Sequence, residues 1–189
     1  MIISISGPSS AGKTTLINEL RTQIHNCYIQ DETFRIFVKD KKINFNDAEE
    51  AFNFQVDLLS FTKKLYLTNI YYQQDNLIIM DRCALDSVVY MFLHYYRLPY
   101  NKQIKYANIF LQCISDSLEL TKQVDKIFLA LPKDESIEDD GIRPDIYQYM
   151  RNEEIFLFKS FFDREKVIVL PSQTDERIQT ICTVINTNH

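Results

Sequence analysis

The stretch Gly7-Pro8-Ser9-Ser10-Ala11-Gly12-Lys13-Thr14 constrains this chain more than any other. It matches the phosphate-binding pattern G-x-x-x-x-G-K-[ST] at every fixed position. An apolar run, Met1 to Ile5, precedes it. Thr15 to Ile24 follows, with Leu16, Ile17, Leu20 and Ile24 spaced as one helix face. Between a strand and a helix, the backbone N–H groups of such a loop converge on an anion, and the helix N-terminus adds its positive end. The chain has three glycines, and two of them stand here at the required spacing. The motif predicts a phosphate cradle made of Gly7, Pro8, Ser9, Ser10, Ala11, Gly12, Lys13, Thr14 and Thr15. In it Lys13 reaches the β- and γ-phosphates and the Thr14 hydroxyl holds Mg²⁺.

Beyond the loop, short apolar runs alternate with helical patterns. Strands are expected at Ile2–Ser6, Cys27–Gln30, Leu77–Met80, Lys126–Leu131 and Val167–Leu170. Lys39 to Asn46 reads as a loop. A long helix is expected from Asp47, a candidate N-cap, to Tyr72, with Ala48, Phe52, Gln55, Leu59, Phe61 and Leu65 on its apolar side. Further helices are expected over Leu85–Tyr96, Lys102–Leu120, Asp145–Phe162 and Thr174–Ile185. In Lys102–Leu120 the apolar face reads as Ile104, Ala107, Phe110, Leu111, Ile114 and Leu118. Alternating strands and helices predict an α/β fold with a mostly parallel sheet.

The bulk properties narrow the class. The 189 residues predict a single domain, 1–189. A net charge of −5 argues against a nucleic-acid binder, while leaving room for a small anionic ligand in a locally basic pocket. Cys27, Cys83, Cys113 and Cys182 are scattered without a C-x-x-C pair, which predicts neither disulfides nor a zinc site. No apolar run approaches the ~20 residues that span a bilayer, so the expectation is a cytoplasmic protein with no membrane partner. The aromatic helix Leu85–Tyr96 is a candidate homodimer face.

Ligands of parallel α/β sheets sit at the carboxyl ends of the strands. Asp31-Glu32 and Arg35 follow the second strand, and Asp81-Arg82 the third. Past the fourth comes an acidic segment that includes Asp140-Gly141-Ile142-Arg143. Asp81 can hold Mg²⁺ opposite Thr14, or stand as a solvated strand-end residue. Arg82 suits phosphate oxygens, or an ion pair with Asp31 or Glu32. Either acid could orient an acceptor hydroxyl and take its proton. The Asp140–Arg143 segment reads as a lid over about 134–151 or as a solvated turn, with Arg151 eight residues beyond Arg143. Gln55 offers a donor and an acceptor to the edge of a base, with Phe54 beside it. By periodicity alone Gln55 is a core-rim residue of an amphipathic helix.

Together these motifs resemble the P-loop nucleoside and nucleotide kinases. Deoxynucleoside kinases carry F-x-F-Q and D/E-R-S; Phe52-Asn53-Phe54-Gln55 matches the first and Asp81-Arg82-Cys83 the second, with Cys in place of Ser. In that family the Gln pairs with the base and the Arg contacts the phosphate-transfer region. Its acidic base is followed by Pro, where this chain has Glu32-Thr33. The ribosylnicotinamide-kinase-like ATPases carry G-P-E-S-[SA]-G-K-[ST]-T, E-Y-A-R and D-G-x-R. Gly7 to Thr15, Glu32-Thr33-Phe34-Arg35 and Asp140-Gly141-Ile142-Arg143 are similar to these. The spacing of Asp81-Arg82 and Ser87 is similar to that of thymidylate kinases, whose Arg holds the acceptor phosphate.

The resemblance implies a three-layer P-loop kinase fold: a five-stranded parallel sheet, helices on both faces, and a short lid. It implies an enzyme that uses ATP and Mg²⁺ to phosphorylate a hydroxyl of a nucleoside or of ribosylnicotinamide. It selects Glu32 over Asp31 as the base, assigns Arg82, Arg143 and Arg151 to phosphate charge, and places Phe54, Gln55 and Tyr90 in the acceptor pocket. Two alternatives remain. A nucleoside monophosphate kinase would use Arg35 and Arg82 to clamp a second phosphate. A regulatory ATPase would bind nucleotide with no small acceptor.

Overall fold

A computed structural model describes residues 1–30, 33–38, 42–72, 77–132, 150–161 and 165–187, without the side chains of 35 and 69–72. Five strands are found among them: β1 (Ile2–Ser6), β2 (Cys27–Gln30), β3 (Leu77–Asp81), β4 (Lys126–Leu129) and β5 (Val167–Val169). They form one sheet in the order β2-β3-β1-β4-β5, and every pairing is parallel. β1 is central, with Ile3 beside Ile79 and Lys126, and Ile5 beside Asp81 and Phe128. All five carboxyl ends therefore open on one edge, as the alternating pattern predicts.

Seven helices surround the sheet in the described residues: α1 (Lys13–Gln23), α2 (Thr33–Val38), α3 (Ala48–Tyr72), α4 (Ala84–Tyr96), α5 (Tyr100–Thr121), α6 (Arg151–Phe161) and α7 (Thr174–Thr187). Successive strand residues point to opposite faces, and this splits the core in two. Ile78 and Met80 of β3 and Ile127 and Leu129 of β4 join Phe52, Leu85, Val89 and Phe158 under α3, α4 and α6. Ile3, Ile5, Ile79 and Phe128 face the other way, onto Leu16 and Leu20 of α1 and Ile178 and Ile181 of α7. β1 turns Ile2, Ser4 and Ser6 to the first face, the two serine hydroxyls 3.0 Å apart. A third cluster, Phe45, Ala51, Phe54 and Leu58 with Phe34 and Phe37, forms an aromatic roof over the start of α3. Among the described residues the expected three-layer P-loop kinase architecture is present; the expected lid lies outside them except for residues 150 and 151.

Local signals explain most element boundaries. Asp47 caps α3, its carboxylate accepting the Glu49 and Glu50 N–H groups at 2.8 and 3.0 Å. Pro99 separates α4 from α5. Several expectations need correction. α1 begins inside the loop motif, at Lys13, and ends at Gln23, one residue before the expected Ile24. α2 has no counterpart among the elements expected from the sequence; its six residues are too few to show a helical period. β4 stops at Leu129. The buried side of α3 includes Leu58, Thr62 and Tyr66, with Phe61 and Leu65 half-buried.

α5 departs furthest from expectation. Its inward stripe is Tyr106, Phe110, Cys113, Ser117 and Leu120, while Ile104, Leu111 and Leu118 are exposed. Two apolar stripes compete on this helix, and the one with small Cys113 and Ser117 lies inward on the side that packs against α4. α4, expected as a candidate dimer face, is enclosed among α3, α5 and α6.

His94 shows the effect of that enclosure. It is fully buried, and its Nδ1 lies 3.0 Å from Nη1 of Arg97. Burial first, and the Arg97 charge second, push its pKa down to about 3. A depressed folded pKa gives stability that is complete above the unfolded value of about 6.5 and is lost as pH falls towards the folded value. Denaturant unfolding should therefore lose up to about 1.4 kcal/mol per pH unit below about 6.5 through this group. In His94→Gln that part of the slope should disappear, and an unchanged profile would contradict the assignment.

Candidate functional site

The loop after β1 is shaped by its glycines. Gly7 has φ +139°, and a Cβ there would lie 2.1 Å from the Ala130 carbonyl oxygen at the end of β4. Only glycine permits that approach. Ser10 and Gly12 also have positive φ, 52° and 78°, and the alternation curls the loop. Lys13 folds back over it, donating to the carbonyls of Gly7 (2.8 Å) and Pro8 (2.6 Å). Thr14 is exposed in the first turn of α1. From behind, Arg177 of α7 donates to the carbonyls of Ala11 (2.6 Å), Leu131 (2.7 Å) and Pro171 (2.7 Å). That single guanidinium ties the loop to the ends of β4 and β5.

The end of β3 meets the loop directly. Asp81 is buried beside Ile5. Arg82 has φ +78°, a left-handed conformation that costs a non-glycine residue about 1–3 kcal/mol. From there its Nη1 donates to the Gly7 carbonyl (3.2 Å) and to Asp86 Oδ1 (3.1 Å), and the guanidinium lies 5.4 Å from the Tyr90 ring centroid. Asp86 also accepts the N–H groups of Gly7 (3.4 Å) and Cys83 (3.1 Å). Burial and the neighbouring Asp86 push the Cys83 thiol up to about 12, so it stays protonated.

A second buried ion pair closes the other side. Glu154 of α6 accepts the Ser9 N–H (2.8 Å) and the Tyr90 hydroxyl (2.6 Å) on Oε1, and Arg151 Nη1 (3.1 Å) on Oε2. Arg151 Nη1 also donates to the Ser9 carbonyl (2.6 Å). Its Nε and Nη2 are buried without a hydrogen-bond partner among the described residues. Burial raises the Tyr90 hydroxyl well above its usual pKa, and Glu154 adds to this, so it remains a donor. A carboxylate thus rests on one amide of an anion-binding loop.

Beside these groups a cleft of about 580 Å³, counting its open mouth, is lined by Ser9, Thr33, Phe34, Gln55, Arg82 and Tyr90, among others. Gln55 is buried, and its Oε1 has no hydrogen-bond partner among the described residues. Leaving a buried amide oxygen unpaired costs about 1–3 kcal/mol. A ligand N–H would satisfy it. Phe54 does not line the cleft; it packs behind Phe34, rings 5.7 Å apart and edge-on, and Phe34 supplies the aromatic wall.

The structure brings together Lys13, Asp81, Arg82, Gln55, Tyr90 and Arg151 from the sequence expectations. Asp31, Glu32 and Arg143 lie outside the described residues, as does the side chain of Arg35. Sequence reading missed Asp86, Glu154, Arg177 and Phe34. Faint signals existed for two of them. Cys83-x-x-Asp86 has the spacing of a capping box, and Arg151 and Glu154 are three apart on one helix. Neither spacing reveals a contact with a loop 79 residues away, for Asp86, or 145 away, for Glu154.

Comparison with known proteins places this geometry. The model of the family AAA_28, an AAA domain, matches residues 2–176. No curated protein sequence matches the chain. Among solved structures, deoxyadenosine kinase from M. mycoides with bound dATP superposes with a TM-score of 0.69 at 18% identity, covering 98% of this chain and 100% of that one. Thymidylate kinase from Candida albicans gives 0.66 at 15% identity, covering 99% and 91%. NadR protein in complex with NR gives 0.61 at 21%, covering 93% of this chain and 45% of NadR, so the chain spans under half of that protein. At these identities the likeness is one of fold. Because the family match runs from β1 into the first turn of α7, the chain belongs to the AAA_28 family, built on the fold of the P-loop nucleoside and nucleotide kinases.

Proposed function

We propose that this chain is a cytoplasmic, single-domain kinase that transfers the γ-phosphoryl group of ATP, with Mg²⁺, to a hydroxyl of a nucleoside-like small molecule. The observation that carries this reading is the buried, unpaired Oε1 of Gln55 in a cleft that also includes Ser9 of the phosphate loop. A binding loop alone would serve a regulatory ATPase. A cleft with its own polar reader gives the loop an acceptor to act on.

In this reading the loop amides and Lys13 hold the β- and γ-phosphates. The unpaired Nε and Nη2 of Arg151, on a guanidinium already fixed to the Ser9 carbonyl, are donors suited to phosphate oxygens. Arg82 faces the acceptor side, and Arg143 would add charge from a lid over about 134–151. The Thr14 hydroxyl and the Asp81 carboxylate are hard oxygen donors of the kind Mg²⁺ takes alongside water and phosphate oxygens, so they would hold it. Bound there, the ion would offset charge on the β- and γ-phosphates. Gln55 reads the acceptor's amide-like edge and Phe34 covers its ring. Glu32 accepts the hydroxyl proton as the acceptor oxygen bonds to phosphorus and the bond to the ADP oxygen breaks.

Two substitutions test the assignment. Glu32→Gln should lower kcat by roughly 10²–10⁴-fold while ATP binding, read by titration calorimetry, persists. A variant that lost only thermal stability would remove Glu32 from the reaction. Gln55→Ala should raise acceptor KM or change acceptor choice, with ATP affinity little altered. The reverse pattern would take Gln55 out of the acceptor pocket.

A further inference from the structure

α7 lies far along the chain from the phosphate loop, yet one of its side chains reaches it. Arg177 is 5% exposed, and its three hydrogen bonds all go to carbonyl oxygens. Nε holds Pro171 and Nη2 holds Leu131, each two residues past the end of its strand, β5 or β4. Nη1 holds Ala11 of the loop. Among the described residues Arg177 has no carboxylate partner. Burial pulls its pKa down, but a guanidinium stays charged in water at any ordinary pH. A buried cation without a counter-ion is costly, and carbonyl dipoles offset only part of that cost. A bound anion on the far side of the loop would offset more.

The contact also fixes one peptide of the loop. A guanidinium is a rigid planar fork. With Nε and Nη2 held at the sheet edge, the direction of Nη1 is set as well. The Ala11–Gly12 peptide is trans, so its C=O and N–H point in opposite directions. Arg177 holds the Ala11 oxygen at the rear of the loop, which turns the Gly12 N–H to the front, where Gly12 is exposed. A cation on the carbonyl also polarises the peptide and strengthens its N–H as a donor. Gly12 leaves the guanidinium room, since a Cβ there would stand 3.3 Å from Nη1.

We propose that Arg177 is a positioning residue of the phosphate loop: it turns the Gly12 N–H onto the phosphates of a bound nucleotide, and its buried charge adds to their attraction. This rests on the reading of the loop as an ATP site. Arg177 is not among the residues that line the cleft, and it acts on the nucleotide only through the Ala11–Gly12 peptide and its field. Loop amides of this kind cradle the α- and β-phosphates, which ATP and ADP share.

Calorimetric titration of the full chain with ATP and with ADP, each with Mg²⁺ and without an acceptor, tests this. Arg177→Met removes the charge and all the donors. It should raise both dissociation constants at least about tenfold. Arg177→Lys keeps the charge, but one ammonium cannot hold three carbonyls, so it should bind both nucleotides more weakly than the wild type and more tightly than Arg177→Met. A second readout needs no nucleotide. The chain has three glycines, so isotope-labelled glycine gives few amide signals to assign. In Arg177→Met the Gly12 amide nitrogen should move upfield, as it does when the preceding carbonyl loses a hydrogen bond. Should Arg177→Met fail to fold, Arg177→Lys carries both readouts. A folded Arg177→Met that binds ATP as tightly as the wild type, with only thermal stability lost, would reduce Arg177 to a structural tie and overturn the proposal. So would an unmoved Gly12 signal, or an Arg177→Lys chain as tight as the wild type. A wild type that binds neither nucleotide would overturn both the proposal and the reading it rests on.

Discussion

The close approach of Gly7 to the Ala130 carbonyl is the constraint on which the site depends. It lets β1 run flush against the end of β4 and turn at once into the loop. From that position the Gly7 carbonyl accepts both Lys13 and Arg82, and the Gly7 N–H donates to Asp86. Four elements therefore meet at one residue: β1, the end of β3, α4 and α1. Arg177 holds the same loop from the opposite side of the sheet edge. A methyl group at Gly7 would meet backbone, which has little freedom to yield, so the disturbance would reach every one of these contacts.

Around that residue the chain concentrates buried charge. Lys13, Asp81, Asp86, Arg151, Glu154 and Arg177 are all buried at one edge of the sheet. Buried charges persist only where partners offset their lost hydration, and apolar packing of the same volume is often at least as stable. In the proposed function their presence prepares this edge for an anionic ligand and is not a source of stability. The left-handed Arg82 and the unpaired atoms of Gln55 and Arg151 belong to the same pattern, in which small local costs gather where a ligand would relieve them.

Much of the fold and part of the site were legible in the sequence, for identifiable reasons. The loop motif carries its conformation in its glycines, and the apolar runs with their strand-end charges located all five strands. Asp47 announced the start of α3 as an N-cap. The acceptor side was harder to read. Phe34 became a wall of the cleft through α2, a helix too short to show a period, while Phe54, which its motif favoured, packs one layer behind. Glu154 and Asp86 act through contacts with the loop that no spacing along the chain encodes. On α5, periodicity located an apolar stripe, but with two stripes present only the packing against α4 decided which one faces inward.

The central claim is that the loop and the Gln55 cleft are two halves of one transfer site. A panel of nucleosides, including ribosylnicotinamide, and their monophosphates, each incubated with the protein, Mg²⁺ and γ-labelled ATP, tests it most directly. Label is expected to appear on a nucleoside hydroxyl, with ADP formed in equal amount and little turnover when no acceptor is present. Slow ATP hydrolysis that no nucleoside or nucleotide alters would contradict it and leave the loop as a nucleotide-binding switch.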